Sequence, residues 1–262
     1  MATGLILEGC GFRGDPCQEP GDERGSIVDG KDAVKPDRDP PSAPACRETC
    51  YHGAGAWPRL VDIEGFTVVR IISGERRGHK FDGPTDAVTR PTSDMVRESI
   101  FNILGDRAEG RVVYDLFAGS GALGLEALSR GAEHAVFVEK DRRNFRLIRD
   151  NIATLRFEGR GAVIAADAYR WAQTFTSEGQ DPVLVLIDPP YRDFGDRPEK
   201  IRALLTALVE RLPVGSTIVL EAERDGHQAV LPEISRWDIR KYSRTQIAFL
   251  DLDAAGGLDE EP

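Results

Sequence analysis

No run of eighteen apolar residues occurs anywhere in the 262-residue chain, which argues against a membrane-spanning helix. The first twenty residues also lack a basic start followed by an uninterrupted apolar stretch and a small-residue cleavage site, the marks of a secretory leader. A cytoplasmic protein with no membrane partner is the expectation. An excess of positive charge is missing too, the formal net charge being −10. That weighs against a protein that coats nucleic acid through bulk electrostatics, so contact with phosphates would have to come from local basic patches. Cysteine is scarce, and all four residues, Cys10, Cys17, Cys46 and Cys50, stand near the amino terminus. Cys46 and Cys50 with His52 nearby loosely suggest zinc. A structural site, however, usually has closely paired ligands at both ends of a folded module, and Cys10 and Cys17 are widely spaced. No metal is expected.

What is present divides the chain in two. Residues 1–66 are rich in Gly, Pro, Asp and Glu ("GFRGDPCQEPGDERG", "KPDRDPPSAPAC") and show no sustained helical or strand periodicity, so they read as a disordered extension or an upstream-assigned start. From Thr67 the pattern changes. "TVVRIISGERRGHKF" reads as a strand, a glycine turn and a basic second arm, giving an arm over 67–90 that carries Arg70, Arg76, Arg77, His79 and Lys80. "RPTSDMVRESIFNIL" then offers capping residues at Thr92 to Asp94, followed by Val96, Ile100, Ile103 and Leu104 at the spacing of an amphipathic helix. A folded domain over 91–253 and an acidic tail over 254–262 complete the division.

Within that domain, strand-like runs at 112–117, 135–139, 162–166, 183–187 and 217–221 alternate with helical candidates near 121–130, 141–156, 168–176 and 197–211. Such alternation with short connections predicts an α/β fold built on a parallel sheet covered on both faces. "WDIRKYSRTQIAFLDLD" reads instead as two strands joined tightly near Ser243.

The first strand of the series runs into "DLFAGSGALGLEAL", where Gly119, Gly121 and Gly124 form G-x-G-x-x-G between strand and helix. Glycines there allow a tight turn and a close approach of ligand to backbone at the positive end of the helix. The next strand ends in Glu139, an acceptor for ribose hydroxyls, and the third at Asp167-Ala168, which can meet an adenine edge. Glu139 could equally favour the dipole of the next helix. Two cofactor classes fit an adenosine site, a nicotinamide dinucleotide and S-adenosylmethionine. Asp115, four residues before the first glycine, suits the cationic amino and sulfonium groups of the second.

The fourth strand, "VLVLI", stops at Asp188-Pro189-Pro190-Tyr191. Two prolines fix their own φ angles and donate no backbone hydrogen, so the turn presents acceptors. The Asp188 carboxylate with the Asp188 or Pro189 carbonyl matches the two hydrogens of an exocyclic amine, and Tyr191 adds a flat face for a base drawn out of its stack. Gripping both hydrogens turns the delocalised lone pair toward an incoming methyl group.

D-P-P-Y behind an adenosine-type glycine motif resembles the amino-methyltransferases. "RIISGERRGHKF", "TRPTSDMVRESIFNIL", "DLFAGSGALGLEALSRGA", "VEKD" and "LIDPPY" further resemble, in order and spacing, the RsmD family of 16S rRNA guanine-N2 methyltransferases, over about residues 70–252. The resemblance implies a Rossmann-like class I fold with a seven-stranded, mostly parallel sheet, an antiparallel C-terminal hairpin strand, and a small N-terminal β-hairpin and helix. It implies S-adenosylmethionine contacts at Asp115, Phe117, Gly119, Ser120, Gly121, Glu139, Lys140, Asp167, Ala168 and Asp188. It implies an amine-gripping turn at Asp188, Pro189, Pro190 and Tyr191, and RNA contacts at Arg70, Arg76, Arg77, Lys80 and Arg90. The implied partner is 16S rRNA in the small ribosomal subunit or an assembly intermediate, with ribosomal proteins near the target and a monomeric enzyme. A DNA adenine or cytosine amino-methyltransferase and a non-catalytic RNA-binding assembly factor stand as alternatives.

Overall fold

The computed structural model describes residues 67–84, 93–176, 181–223, 229–242 and 245–253. The cysteine-bearing tail, Arg90 with its neighbours Pro91 and Thr92, and the acidic tail lie outside the described residues. No helix among the described residues is long and apolar enough to cross a membrane.

The basic arm comes first, as two short strands, β1 (Val68–Arg70) and β2 (Lys80–Asp82), paired antiparallel. Ser93 then caps the first helix, α1 (Asp94–Leu104), its side chain accepting from the Val96 N–H at 3.3 Å. The helix buries Val96, Ile100 and Leu104 as the sequence spacing predicts, while the expected Ile103 is only half-buried and Phe101 is buried with the others. The alternating series follows as β3 (Val112–Leu116), α2 (Ala122–Ser129), β4 (His134–Glu139), α3 (Arg142–Thr154), β5 (Gly161–Ala165), α4 (Ala168–Thr174) and β6 (Leu184–Ile187). It ends with α5 (Arg192–Asp196), α6 (Pro198–Arg211), β7 (Thr217–Glu223), β8 (Asp238–Tyr242) and β9 (Thr245–Asp251).

The strands from β3 onward form one sheet in the order β5-β4-β3-β6-β7-β9-β8. The first five of that order run parallel, and β9 inserts antiparallel between β7 and β8. Strand β6 is buried throughout, the burial expected of a central parallel strand with helices on both faces. Its residues alternate between two cores. Leu184 and Leu186 join α1, α2 and α3 on one side, and Val185 and Ile187 join α4 and α6 on the other. Strands β3 and β6 are direct neighbours, with Leu116 opposite Ile187, so the glycine turn and the Asp-Pro-Pro-Tyr turn leave the same edge side by side.

The basic arm packs into the first core, burying Val69, Ile71 and Phe81 there. Buried Glu126 of α2 accepts from the N–H groups of Ile72 and Ser73, at 2.8 and 3.0 Å. Buried Arg97 donates to the Arg70 carbonyl at 2.6 Å and stands 3.7 Å from Glu126. Gly74 lies so close to the end of α2 that an added Cβ would sit 1.8 Å from the Ser129 carbonyl oxygen, and its φ of +84° is left-handed. Gly74→Ala is therefore expected to lift the arm from α2, seen as faster hydrogen exchange at the Ile72 and Ser73 amides; unchanged protection of both would refute the contact.

Candidate active site

The carboxyl ends of β3, β4, β5 and β6 converge on one edge, where open α/β sheets place ligands. At β3, Asp115 is buried and its Oδ2 accepts from the Gly124 N–H at 2.8 Å, tying the strand to the start of α2. Burial pushes its carboxyl well above the usual range; the Gly124 hydrogen bond opposes that shift, and the negative charges of Asp188 and Glu139 add to it. Three acids thus share this edge of the sheet. Phe117, between Asp115 and the glycines, holds a left-handed φ of 63°, strain of about 1–3 kcal/mol that tends to collect at functional sites.

Glu139 uses both oxygens. Oε2 accepts from the Gly119 N–H at 2.8 Å and Oε1 from the Asp141 N–H at 2.7 Å, so the carboxylate pins the glycine turn to the start of α3. The capping role is Asp141's, which accepts from the Arg143 and Asn144 N–H groups. Asp167 caps α4 in the same way through Oδ1, bonded to the N–H groups of Tyr169 and Arg170, with Ala168 buried beside it. The Ser120 carbonyl accepts from Asn151 at 3.0 Å, and Lys140 is exposed. At Gly119 an added Cβ would meet only the Phe117 carbonyl oxygen, 3.9 Å away, so the space over the turn is open to a ligand. An open glycine turn beside three crowded acids fits a nucleoside carrying positive charge.

The second turn is built just as tightly. The Asp188 N–H reaches back to the Leu116 carbonyl at 3.4 Å, and the Pro190 carbonyl accepts from Asp193 at 2.8 Å. With the Pro190 carbonyl engaged, the acceptors left to the turn are the Asp188 carboxylate and the Asp188 or Pro189 carbonyl. The Tyr191 hydroxyl donates to Glu221 of β7 at 3.2 Å and lies 3.4 Å from Thr245 of β9. Burial, opposed by the Thr245 hydrogen bond and reinforced by the charges of Glu221 and Asp188, pushes that hydroxyl up to about 12, so it stays protonated and its ring stays anchored at neutral pH.

A support that the motifs did not signal lies behind both turns. The Tyr169 hydroxyl donates to buried Asp193 at 2.8 Å, Asp193 also holds Arg197, and the Phe117 ring meets Tyr169 edge-on at 5.0 Å. Burial works against ionisation of Asp193, but the hydrogen bonds from Arg197 and Tyr169 outweigh it and hold the carboxyl below the usual range. The same burial, with the Asp193 hydrogen bond, pushes the Tyr169 hydroxyl up. Tyr169 and Asp193 are separated by 24 residues in sequence, so no local pattern could have announced their bond.

The candidate RNA contacts are dispersed. Arg70 pairs with Asp94 at 2.9 Å. Arg76 is half-buried with its guanidinium 5.8 Å from the Phe157 ring centre, while Arg77 and Lys80 are exposed. The Arg76 N–H bonds Ser129, the last residue of α2, which places this end of the arm about 12 Å of helix away from the glycine turn.

Asp115→Asn separates stability from binding. A carboxyl whose folded-state pKa lies above its unfolded value contributes stability at low pH that is lost as the pH rises through the folded value. The variant, whose amide oxygen can still accept from Gly124, is thus expected to gain in Tm over the parent chain as pH rises from 5 to 9. It is also expected to bind S-adenosylhomocysteine at least about tenfold more weakly, the scale of one lost charged hydrogen bond. A pH-independent Tm difference would show that Asp115 is not the titrating group.

A sheet in this order, with an antiparallel strand inserted near its end and a glycine turn after its first central strand, defines a class I S-adenosylmethionine-dependent methyltransferase fold. The family model described as "Conserved hypothetical protein 95" matches residues 69–251. The chain belongs to this family, the RsmD family. It is 41% identical over 124 residues to ribosomal RNA small subunit methyltransferase D of Escherichia coli K12, covering 47% of this chain and 61% of that protein. It is 32% identical to the protein of the same name from Haemophilus influenzae, covering 68% of this chain and 90% of that one. Among solved structures, a hypothetical protein of Thermus thermophilus is similar with a TM-score of 0.57 and 27% identity, covering 70% of this chain and 99% of the other.

Proposed function

We propose that the chain transfers a methyl group from S-adenosylmethionine to the exocyclic N2 amine of a guanine in small-subunit ribosomal RNA, acting in the cytoplasm on assembled or partly assembled particles. The observation that carries this reading is the adjacency of the two turns on paired strands β3 and β6. One turn is open over Gly119 and flanked by acids; the other offers acceptors and an anchored ring. The names of the Escherichia coli and Haemophilus influenzae relatives support ribosomal RNA as the substrate class.

The bound cofactor supplies an electrophilic methyl group and a positive charge. Asp115, Glu139 and Asp167 would hold it, at the amino group, the ribose hydroxyls and the adenine edge respectively, with Phe117 and Ala168 as apolar walls. The Asp188 carboxylate and the Pro189 carbonyl accept the two amine hydrogens and turn the nitrogen lone pair toward the donor. Tyr191 offers its ring to the guanine. Once the nitrogen carries positive charge, its proton passes to Asp188 or to water, with no strong base required. Arg77 and Lys80 would meet phosphates outside the cleft.

The test is incubation with methyl-labelled cofactor and, in parallel, small-subunit particles lacking the modification, naked 16S rRNA and duplex DNA. Digestion then identifies the labelled nucleoside. The expected product is N2-methylguanosine, with particles the better substrate. Label in N6-methyladenine, or none on any substrate, would overturn the proposal.

A further inference from the structure

The base would enter beside Asp188, with Asp115 and Glu139 at the neighbouring strand ends, an acidic edge that is a poor seat for the phosphates on either side of that base. Something outside it must hold them. The arm is poorly placed to do so alone, since Arg70 is paired with Asp94, Arg76 lies against Phe157, and its Arg76 end docks on the far end of α2.

The carboxyl edge of the sheet carries its own cations. Lys140 follows β4, Arg142 and Arg146 stand in the first turns of α3, Arg170 stands in the first turn of α4 after β5, and Arg192 follows the Asp-Pro-Pro-Tyr turn after β6. All five are exposed. Because β3 lies between β4 and β6, these side chains fall on both sides of the glycine turn. Arg142, Arg146 and Arg170 form no ion pair with any described residue, although Arg143 is 3.5 Å from Asp141 and Arg192 is 3.8 Å from Asp193. Helix stability does not explain them. Cations at the start of a helix oppose its dipole, and neither α3 nor α4 has an acid in its first turn to offset that beyond the capping Asp141 and Asp167.

We propose that Lys140, Arg142, Arg146, Arg170 and Arg192 form a cationic rim that binds the RNA phosphates flanking the extruded base. Arg77 and Lys80 of the arm make an outlying contact. The rim rests on the reading that the substrate is RNA, and it gives an acidic chain a strong phosphate site where the chemistry needs one. Base and backbone are sorted by charge, the neutral base entering among carboxylates while its phosphates stay on the arginines.

The experiment compares R142Q/R146Q/R170Q with R77Q/K80Q in the full chain. Binding to deproteinised 16S rRNA is measured from low to moderate salt, alongside steady-state kinetics on unmodified particles and calorimetry with S-adenosylhomocysteine. The rim variant is expected to lower the slope of log K against log salt by about 2 to 3, since each phosphate contact contributes roughly 0.7 to 0.9. Its KM for particles should rise at least tenfold, with its affinity for S-adenosylhomocysteine within twofold of the parent chain. The arm variant should lower the slope by less. A rim variant with the parent slope and KM, or one that loses S-adenosylhomocysteine affinity in proportion, would overturn the rim. The nucleoside labelled by the parent chain judges the substrate reading separately. A product other than N2-methylguanosine would sink that reading and leave the salt slopes to decide the rim.

Discussion

Asp188→Ala is expected to cut methyl transfer by about 10²- to 10³-fold while S-adenosylhomocysteine affinity changes by no more than a few-fold, the range seen when one preorganised partner of a developing charge is removed. The carboxylate is the side-chain acceptor of a turn whose Pro190 carbonyl is already held by the Asp193 N–H. The backbone of the turn should survive, because the Asp188 N–H stays with Leu116 and Tyr191 stays anchored to Glu221 and Thr245. Single-turnover transfer and calorimetry on the same preparation check this. Parallel loss of rate and of affinity would mean that Asp188 serves the cofactor rather than the amine.

The second large effect concerns the pair behind the arm. Glu126→Ala is expected to destabilise the domain by about 3–5 kcal/mol, because it leaves buried Arg97 without the carboxylate 3.7 Å away. At roughly 2–4 °C per kcal/mol for a domain of this size, the melting temperature should fall by about 6–20 °C. Burial already lowers the pKa of Arg97, with Glu126 and Asp94 acting in the opposite sense, so losing Glu126 removes a main support of its charge. Glu126 also accepts from two arm amides and from Arg130, so Arg97→Ala should cost less than Glu126→Ala. Equal losses, or losses below about 1 kcal/mol, would show that the arm is held by its apolar contacts instead.

Local pattern carried most of the architecture. Each of the five parallel strands lies within two residues of its expected limits, because buried strands between helices declare themselves by short apolar runs and abrupt stops. The helix after Ser93 follows its apolar spacing, and the terminal hairpin follows its alternation. Long-range partnerships were not legible. Nothing near Glu126 indicates that it serves amides more than fifty residues earlier, and nothing near Tyr169 points to Asp193. The acids at the strand ends were visible as candidates, but their division of labour was not. Glu139 proved to brace the glycine turn, and the capping that it might have supplied belongs to Asp141. The basic segment around Arg76 and Arg77 was conspicuous in the sequence, while the exposed arginines at the starts of α3, α4 and α5 were scattered along the chain and come to one edge only through the strand order of the sheet.

Helix α2 has one further consequence. Its first turn donates the Gly124 N–H to Asp115, and its last turns hold the arm through Glu126 and Ser129, all within eight residues. It acts as a gauge block of fixed length between the glycine turn and the arm. A single inserted residue would rotate everything beyond it by about 100° and advance it by about 1.5 Å, carrying Glu126 off the Ile72 and Ser73 amides while leaving Asp115 undisturbed. The tolerance of this enzyme to insertion is therefore set by phase as much as by burial. Its surface loops can lengthen, but these eight residues must keep their count.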